Sequence, residues 1–278
     1  MSPMKRTALV YDFDGTLAPG NIQEHTFIPG LGVSKEEFWK EVERRAREHD
    51  ADQILVYMWS MLELSRQQGV PITRQSLAEH GRDTPLFAGL DDWFERIDDY
   101  GRERGLDIEH YIVSSGTGEM IGGCSIRHFF KQIYASRFIF DEEGHAVWPG
   151  VAINYTTKTQ FLFRINKGIE STWDNTTINR WMPTDERPIP FSRMIFLGDG
   201  ETDIPSMKMV REQGGHSIAV FDPEIWDTPK TQEHVYRLIA EDRAHFTVPA
   251  DYSASSQLAV TVKGVLGRIA RGEGYRGD

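Results

Sequence analysis

The chain of 278 residues carries 42 acidic side chains against 31 Lys and Arg, a formal net charge of -11. That balance disfavours nucleic acid and anionic membrane as partners, because phosphate backbones demand a basic footprint. The single cysteine, Cys124, excludes an internal disulfide and fits a reducing compartment. The run from Ile54 to Leu62 is among the longest nearly apolar ones and falls far short of the ~20 residues that a membrane helix needs. The N-terminus reaches its first strand within a few residues, too soon for a signal peptide, so the expected address is the cytoplasm.

In chain order, Ala8-Leu9-Val10-Tyr11 reads as a short buried strand, and Gly15 is the turn residue that closes it. Alternate residues of a strand share a face, so Asp12 and Asp14 point one way and Phe13 the other, which suits a nucleophile beside a proton-transfer group. From Leu17 to about Gly89 the patterns are helical: Ser34 to Trp39 carries a capping signal, and Gln53 to Gln67 has apolar positions at helical spacing. Arg44, Arg45 and Arg47 lie among Glu41, Glu43 and Glu48 and read as a solvated helix face. Phe27, Trp39, Tyr57, Met58 and Trp59 read as core of this helical segment rather than as a ligand pocket.

Asp91 to Arg104 is a further helix, leading to a second apolar strand that begins at Tyr111 and ends in the hydroxyls of Ser114 and Ser115. The stretch Gly116 to Gly123 then reads as a helix N-terminus, whose exposed amides favour an anion near Ser114. Arg137 to Phe140 and Gly144 to Pro149 pair as a hairpin. Lys158 starts a helix running through Phe161 to Ile165, whereas Lys167 ends it, where a cation complements the helix dipole; Lys158 is therefore the functional candidate. Ser171 to Pro190 is rich in Pro, Asn and Thr and reads as an irregular excursion. Met194 to Leu197 is a third apolar strand, running through Gly198 into Asp199 and Asp203. Ser217 to Phe221 and His245 to Val248 are later strands, and Ser255 to Ala270 is a closing helix. The nine histidines show no pair at metal-ligand spacing and read as solvated or capping.

Alternating strands and helices imply an α/β fold with a doubly wound parallel sheet, in which ligands bind beyond the carboxyl ends of the strands. Taken in order, Asp12 and Asp14 with Thr16, then Ser114, then Lys158, then Asp199 and Asp203 in a Gly-Asp-x-x-x-Asp pattern resemble the four motifs of the haloacid dehalogenase (HAD) superfamily. Within it they resemble the phosphoserine phosphatase-like phosphatases with a helical type-1 cap. The resemblance covers roughly residues 5 to 16 and 108 to 222. It implies a HAD-like Rossmannoid core, residues 1–16 and 90–278, with a helical cap, residues 17–89. Open water at the strand ends would weaken the electrostatics there, so the cap is expected to close over the substrate on hinges near Ala18 to Gly20 and Ala88-Gly89, where glycine tolerates the backbone change.

The activity so implied is Mg²⁺-dependent hydrolysis of a small phosphorylated metabolite through an aspartyl phosphate. Asp12 attacks phosphorus, and Asp14 protonates the leaving oxygen and then takes a proton from water. Ser114, Ser115 and Lys158 hold the phosphate. Asp12, the main chain of Asp14 and Asp199 hold the metal, with Asp203 as a further ligand or an orienting group. Elementary chemistry agrees. Phosphate monoester hydrolysis is among the slowest uncatalysed reactions, so a nucleophile, charge neutralisation and proton transfer are all needed. Mg²⁺ takes oxygen ligands in an octahedron and uses few carboxylates. A second acid at Asp14 serves an alkoxide leaving group and has no task in halide displacement. The chain departs from phosphoserine phosphatase-like members nine residues after the nucleophile, where they carry a glutamate and it carries Asn21, with Glu24 nearby; amino-acid specificity is therefore not implied. Two alternatives stand beside hydrolysis: a phosphotransferase or phosphomutase using the same motifs, and a catalytically silent phosphate-binding module, against which the complete motif set argues. The oligomeric state is left open by the sequence.

Overall fold

A strand that is apolar on both faces needs helices above and below it, and the chain supplies them in alternation. The computed structural model describes residues 3–200 and 202–274. β1 (Lys5–Tyr11) is followed by α1 (Ile22–His25), α2 (Phe27–Gly30), α3 (Lys35–Glu48), α4 (Gln53–Gln68), α5 (Arg74–Arg82) and α6 (Leu90–Arg102). Then come β2 (Leu106–Thr117), α7 (Gly118–Ile121), β3 (Phe130–Phe140), β4 (Ala146–Val151), α8 (Lys158–Lys167) and α9 (Asn175–Asn179). The chain closes with β5 (Met194–Gly198), α10 (Ile204–Glu212), β6 (His216–Phe221), α11 (Pro229–Ala240), β7 (Phe246–Pro249) and α12 (Gln257–Gly272).

The strands form one sheet in the order β4-β3-β2-β1-β5-β6-β7. All neighbours are parallel except the β3–β4 hairpin. The chain winds outward from β1 to β3, crosses back, and winds outward the other way from β5 to β7. Its strand order therefore reverses between β1 and β5, the position at which doubly wound sheets open a crevice. Strand alternation sorts the side chains into two layers. Leu9, Tyr11, Ile195 and Leu197 enter one core with Phe38, Met58 and Leu77 from the helices between β1 and β2. Ala8, Val10, Met194 and Phe196 enter the other, with Phe161 of α8 and Met207 of α10.

Local signals fix the helices that matter most for the site. Ser34 and Glu37 cap α3 reciprocally, and Asp52 caps α4 through the amides of Ile54 and Leu55. The arginines of α3 pair with their own glutamates at the surface, as their spacing predicts. Phe27, Tyr57 and Met58 are buried and Trp39 packs partly against the same core, while Trp59 stays 38% exposed with the Arg45 guanidinium over its ring. Backbones of α5 and α7 meet directly: a Cβ on Gly81 would lie 1.8 Å from the Met120 carbonyl oxygen, and one on Gly123 would lie 1.9 Å from that of Ala78. The irregular excursion after α8 is tied down from below by the buried Arg164, which donates to the carbonyls of Ser171, Thr172 and Asp174. Among the described residues no helix is long and apolar enough to cross a membrane.

One local expectation is corrected. Gly116 does not open a helix: β2 continues to Thr117, which pairs with Ser136 of β3, and α7 is a single turn beginning at Gly118. The Gly116 amide that a helix start would have left exposed donates to Ser114 Oγ instead. The register shift between Val113 and Thr117 marks where the strand bends past the site.

Glu109 of β2 joins three strands at the other end of the sheet. Its carboxylate accepts from Arg6 Nε at 2.7 Å and pairs with Lys131 Nζ at 2.9 Å, and the Tyr111 hydroxyl donates to it as well. Burial alone would raise its pKa, but the hydrogen bonds from Arg6, Tyr111 and Lys131 outweigh burial and take it down to about 2. The unfolded value is about 4.3, so the stabilisation is fully present above that pH and is lost as pH falls toward 2. Glu109→Gln should lower unfolding free energy at pH 7 by about 2 kcal/mol and flatten the acid-side decline of stability in that window. Denaturant titrations at a series of pH values check this, and an unchanged acid slope contradicts it.

Candidate active site

Because β1 lies between β2 and β5, the carboxyl ends of three strands stand side by side. The Asp12 amide donates to the Leu197 carbonyl at 2.8 Å, carrying the β1–β5 pairing one residue past β1. Phe13 turns into the core with Leu9 and Tyr11, and Asp12 and Asp14 both line a cleft of about 580 Å³ on the other side. Gly15 makes the turn with φ +71°, and a Cβ there would sit 2.4 Å from Asp199 Oδ2. Gly198 serves the neighbouring strand likewise, since a Cβ would sit 2.3 Å from Asp203 Oδ2. Two glycines thus let carboxylates from adjacent strand ends pack onto backbone.

Lys158, fully buried at the start of α8, lies among these acids. Its Nζ is 3.0 Å from Asp12 Oδ2, 2.7 Å from Asp203 Oδ1 and 3.2 Å from Thr202 Oγ1. The turn before it is shaped by Asn154, whose Oδ1 accepts from the Thr157 amide at 3.0 Å and whose Nδ2 donates to Asp52 Oδ2 at 2.6 Å. The residue that caps α4 therefore also steadies the lysine turn. Lys167 has a different task, donating to the carbonyls of Ile178 and Arg180.

Burial opposes the charge on Lys158, but Asp12 and Asp203 outweigh it and hold the ammonium above the ordinary lysine range. The acids respond in the opposite sense. Burial, then the charge of Asp12, pushes the Asp14 carboxyl up to about 8, even though the Ile22 amide donates to its Oδ1 at 2.8 Å. Burial and the charge of Asp12 also hold Asp199 and Asp203 above the carboxylate range. Carboxylate oxygens of Asp12, Asp199 and Asp203 lie within 4.8 Å of one another, and Asp203 Oδ2 has no hydrogen-bond partner. This oxygen-only donor set with surplus negative charge fits a hard divalent cation such as Mg²⁺. The Asp14 side chain stands outside that group.

The two serines at the bend of β2 separate. Ser114 Oγ is buried and accepts from the Gly116 amide at 3.0 Å. Ser115 lines the cleft, and its Oγ has no hydrogen-bond partner. The Tyr57 hydroxyl of α4 donates to the Ser115 carbonyl at 2.8 Å, bringing the helical insertion to the edge of the site. Glu24 accepts from Asn21 Nδ2 and from Trp39 Nε1 at 2.6 Å.

Sequence reasoning missed α11 altogether. Lys230, Thr231, His234 and Arg237 of this helix line the cleft opposite the acids. His234 is not a solvated histidine, because its Nε2 lies 2.9 Å from the Asp199 carbonyl oxygen. The available signals were Thr228-Pro229, a cap followed by proline at the first helical position, and the i, i+4, i+7 spacing of the three basic residues.

No family model matches the chain. An uncharacterized protein of Borreliella burgdorferi is 28% identical over 227 residues, covering 73% of this chain and 78% of that relative. The solved HAD family hydrolase of Salmonella enterica subsp. enterica serovar Typhi aligns with a TM-score of 0.57 at 14% identity, covering 89% of this chain and 69% of its own. A phosphoserine phosphatase solved as a phospho-aspartyl intermediate analogue aligns with a TM-score of 0.53 at 17% identity, covering 94% and 99%. The fold is thus that of HAD hydrolases and phosphoserine phosphatases.

Removing the ammonium should expose what it offsets. Lys158→Met leaves buried carboxylates without their cation and should cost about 3–5 kcal/mol of stability at neutral pH in chelator. The loss should shrink on acidification. Carboxyls whose folded pKa is raised favour the folded state once protonated, and that benefit disappears as pH rises through the raised values. Equal destabilisation at pH 5 and pH 8 in denaturant titrations contradicts this account.

Proposed function

We propose that the protein is a Mg²⁺-dependent phosphatase that removes the phosphoryl group from a small phosphorylated metabolite through an aspartyl phosphate on Asp12. The observation that carries the reading is the buried Lys158 bridging Asp12 and Asp203 while Asp14, with its pKa pushed up to about 8, faces the same cleft. A phosphoserine phosphatase of the same fold solved as a phospho-aspartyl intermediate analogue supports it.

In this reading a carboxylate oxygen of Asp12 forms the bond to phosphorus as the ester oxygen leaves, dividing one hard displacement into two easier ones. Burial and the charge of Asp12 favour the protonated form of Asp14, so it can give its proton to the leaving oxygen and afterwards accept one from the water that attacks the phosphoenzyme. Lys158 offsets negative charge gathered on Asp12 and the transferring group. Ser115, with an uncommitted hydroxyl on the cleft, and Ser114 behind it are the hydrogen-bond donors for phosphoryl oxygens. Mg²⁺ held by Asp12, Asp199 and Asp203, with the Asp14 main chain, would neutralise charge on those oxygens. Residues 17–89 act as the cap on a core of residues 1–16 and 90–278. Any closing movement has to release or carry with it the Tyr57–Ser115 and Asp52–Asn154 contacts of α4, while the Gly81 and Gly123 contacts hold α5 against the core. A cytoplasmic setting accords with a buried, unpaired Cys124.

Asp12→Asn should abolish hydrolysis, and Asp14→Asn should slow hydrolysis of an alkyl phosphate by about 10²–10⁴-fold, as loss of one proton-transfer group does. With an aryl phosphate the leaving group needs little protonation, so Asp14→Asn should accumulate phosphoenzyme, visible by mass spectrometry on Asp12. Wild-type rates in Asp12→Asn, or full turnover in excess chelator, contradict the proposal.

A further inference from the structure

The cleft is far larger than a phosphoryl group requires and falls within the size range of metabolite pockets, ~300–1,000 Å³. Its basic side chains are concentrated in one place. Asp12, Asp14 and Asp199 line it from the ends of β1 and β5 and Asp222 from the end of β6, and among the described residues every Lys, Arg and His side chain in the lining comes from a single helix, α11. In a chain of net charge -11, that concentration of cations facing a cavity is not a consequence of composition. Lys230, His234 and Arg237 are spaced i, i+4, i+7 and so share one stripe of the helix. The position of that stripe is set by His234, whose Nε2 reaches the Asp199 carbonyl. Gly200 backs onto the same ring, since a Cβ there would lie 2.5 Å from His234 Nε2. Measured along the helix axis from His234, Lys230 lies about 6 Å toward the N-terminus and Arg237 about 4.5 Å toward the C-terminus.

The reacting end has its own cation, Lys158, walled off beneath Asp12 with no exposure. The α11 cations are surplus to it. Among the described residues Lys230 has no carboxylate within ion-pair distance, and Arg237 has only Glu233 of its own exposed helix face, at 3.7 Å. Apolar side chains of Phe87, Val220 and Ile225 also line the cleft, as a carbon skeleton spanning it would require.

We infer that α11 binds a second anionic group of the substrate through Lys230 and Arg237, so the preferred substrates are phosphate monoesters that carry a carboxylate or a further phosphate a few bonds from the ester being cleaved. The inference rests on the phosphatase reading and assigns substrate selection to the C-terminal half of the chain instead of to the helices between β1 and β2.

The test compares propyl phosphate, 3-phosphonooxypropanoate and propane-1,3-diol bisphosphate as substrates of the full chain with Mg²⁺. One or both doubly anionic esters should exceed propyl phosphate in kcat/KM by at least about ten-fold, mainly through KM, as one charge-assisted contact provides. Which of the two leads tells carboxylate from phosphate. In Lys230→Gln and Arg237→Gln the preference should fall toward one, whereas in Lys208→Gln, which removes an exposed cation outside the cleft, it should persist. No preference in the wild type, or a preference that survives both α11 variants, overturns the inference. If no ester is hydrolysed, calorimetry with propane-1,3-diyl bisphosphonate and propylphosphonate decides separately: tighter binding of the bisphosphonate that is lost in Lys230→Gln keeps the anion subsite while the phosphatase reading falls, and equal binding of the two ends the subsite as well.

Discussion

The site depends on one ammonium group placed among carboxylates where water does not reach. Asp12, Asp199 and Asp203 converge on a small volume, and Asp199 and Asp203 are disfavoured as anions by burial and by the charge of Asp12. Lys158 makes the arrangement sustainable. Its contacts with Asp12 and Asp203 exceed its own burial penalty, so the charge stays on the lysine and the acids stay together. An unpaired charge in such a place is strongly destabilising, which explains why the turn before Lys158 is held so firmly. Asn154 shapes it from one side and Asp52 of α4 anchors Asn154 from another. The helical insertion thus contributes to the acid cluster by fixing a backbone turn.

The sheet supplies the convergence. Strands that neighbour one another at the reversal of winding are far apart in sequence, and β1 and β5 bring Asp12 and Asp199 together only because their carboxyl ends are level. Glycines remove the remaining bulk at the contacts of the acids with backbone. What results is a cleft with acids at the ends of its strands, and with its basic side chains, among the described residues, all on α11. Lys158 is committed to Asp12 and Asp203, whereas Lys230 and Arg237 lie on the exposed face of α11.

Much of this was legible in sequence because the relevant signals are local. Apolar runs ending in Asp12 and Asp199 mark strand ends, and the position of Lys158 at a helix start against Lys167 at a helix end separated two lysines that the structure gives separate partners. The fold class followed from the alternation of elements. What failed had a nonlocal cause. The glycines after Ser115 resemble a helix start, but pairing of Thr117 with Ser136, a residue far along the chain, keeps that segment in the sheet. Which of Ser114 and Ser115 faces the cleft turns on the bend at the same place, and no alternation rule reaches across an irregular strand. The basic stripe on α11 was overlooked because in an acidic chain a few cations on an amphipathic helix look like an ordinary solvated face. Only the packing of His234 against the Asp199 loop gives them a cavity to face.

The strand order also governs how the chain can assemble as it is made. β1 is among the most apolar strands, with Ala8, Leu9, Val10 and Tyr11 all fully buried in the finished sheet. One of its edges is taken by β2, but the other waits for β5, which lies most of the chain away. At translation rates of about 5–20 residues per second the roughly 180 intervening residues take about 10–40 s to emerge. For that interval a nascent chain presents an unpaired apolar edge, the kind of surface that invites mispairing and chaperone capture. The topology that gathers the acids at one point also makes β1 the strand most dependent on protection while synthesis is incomplete.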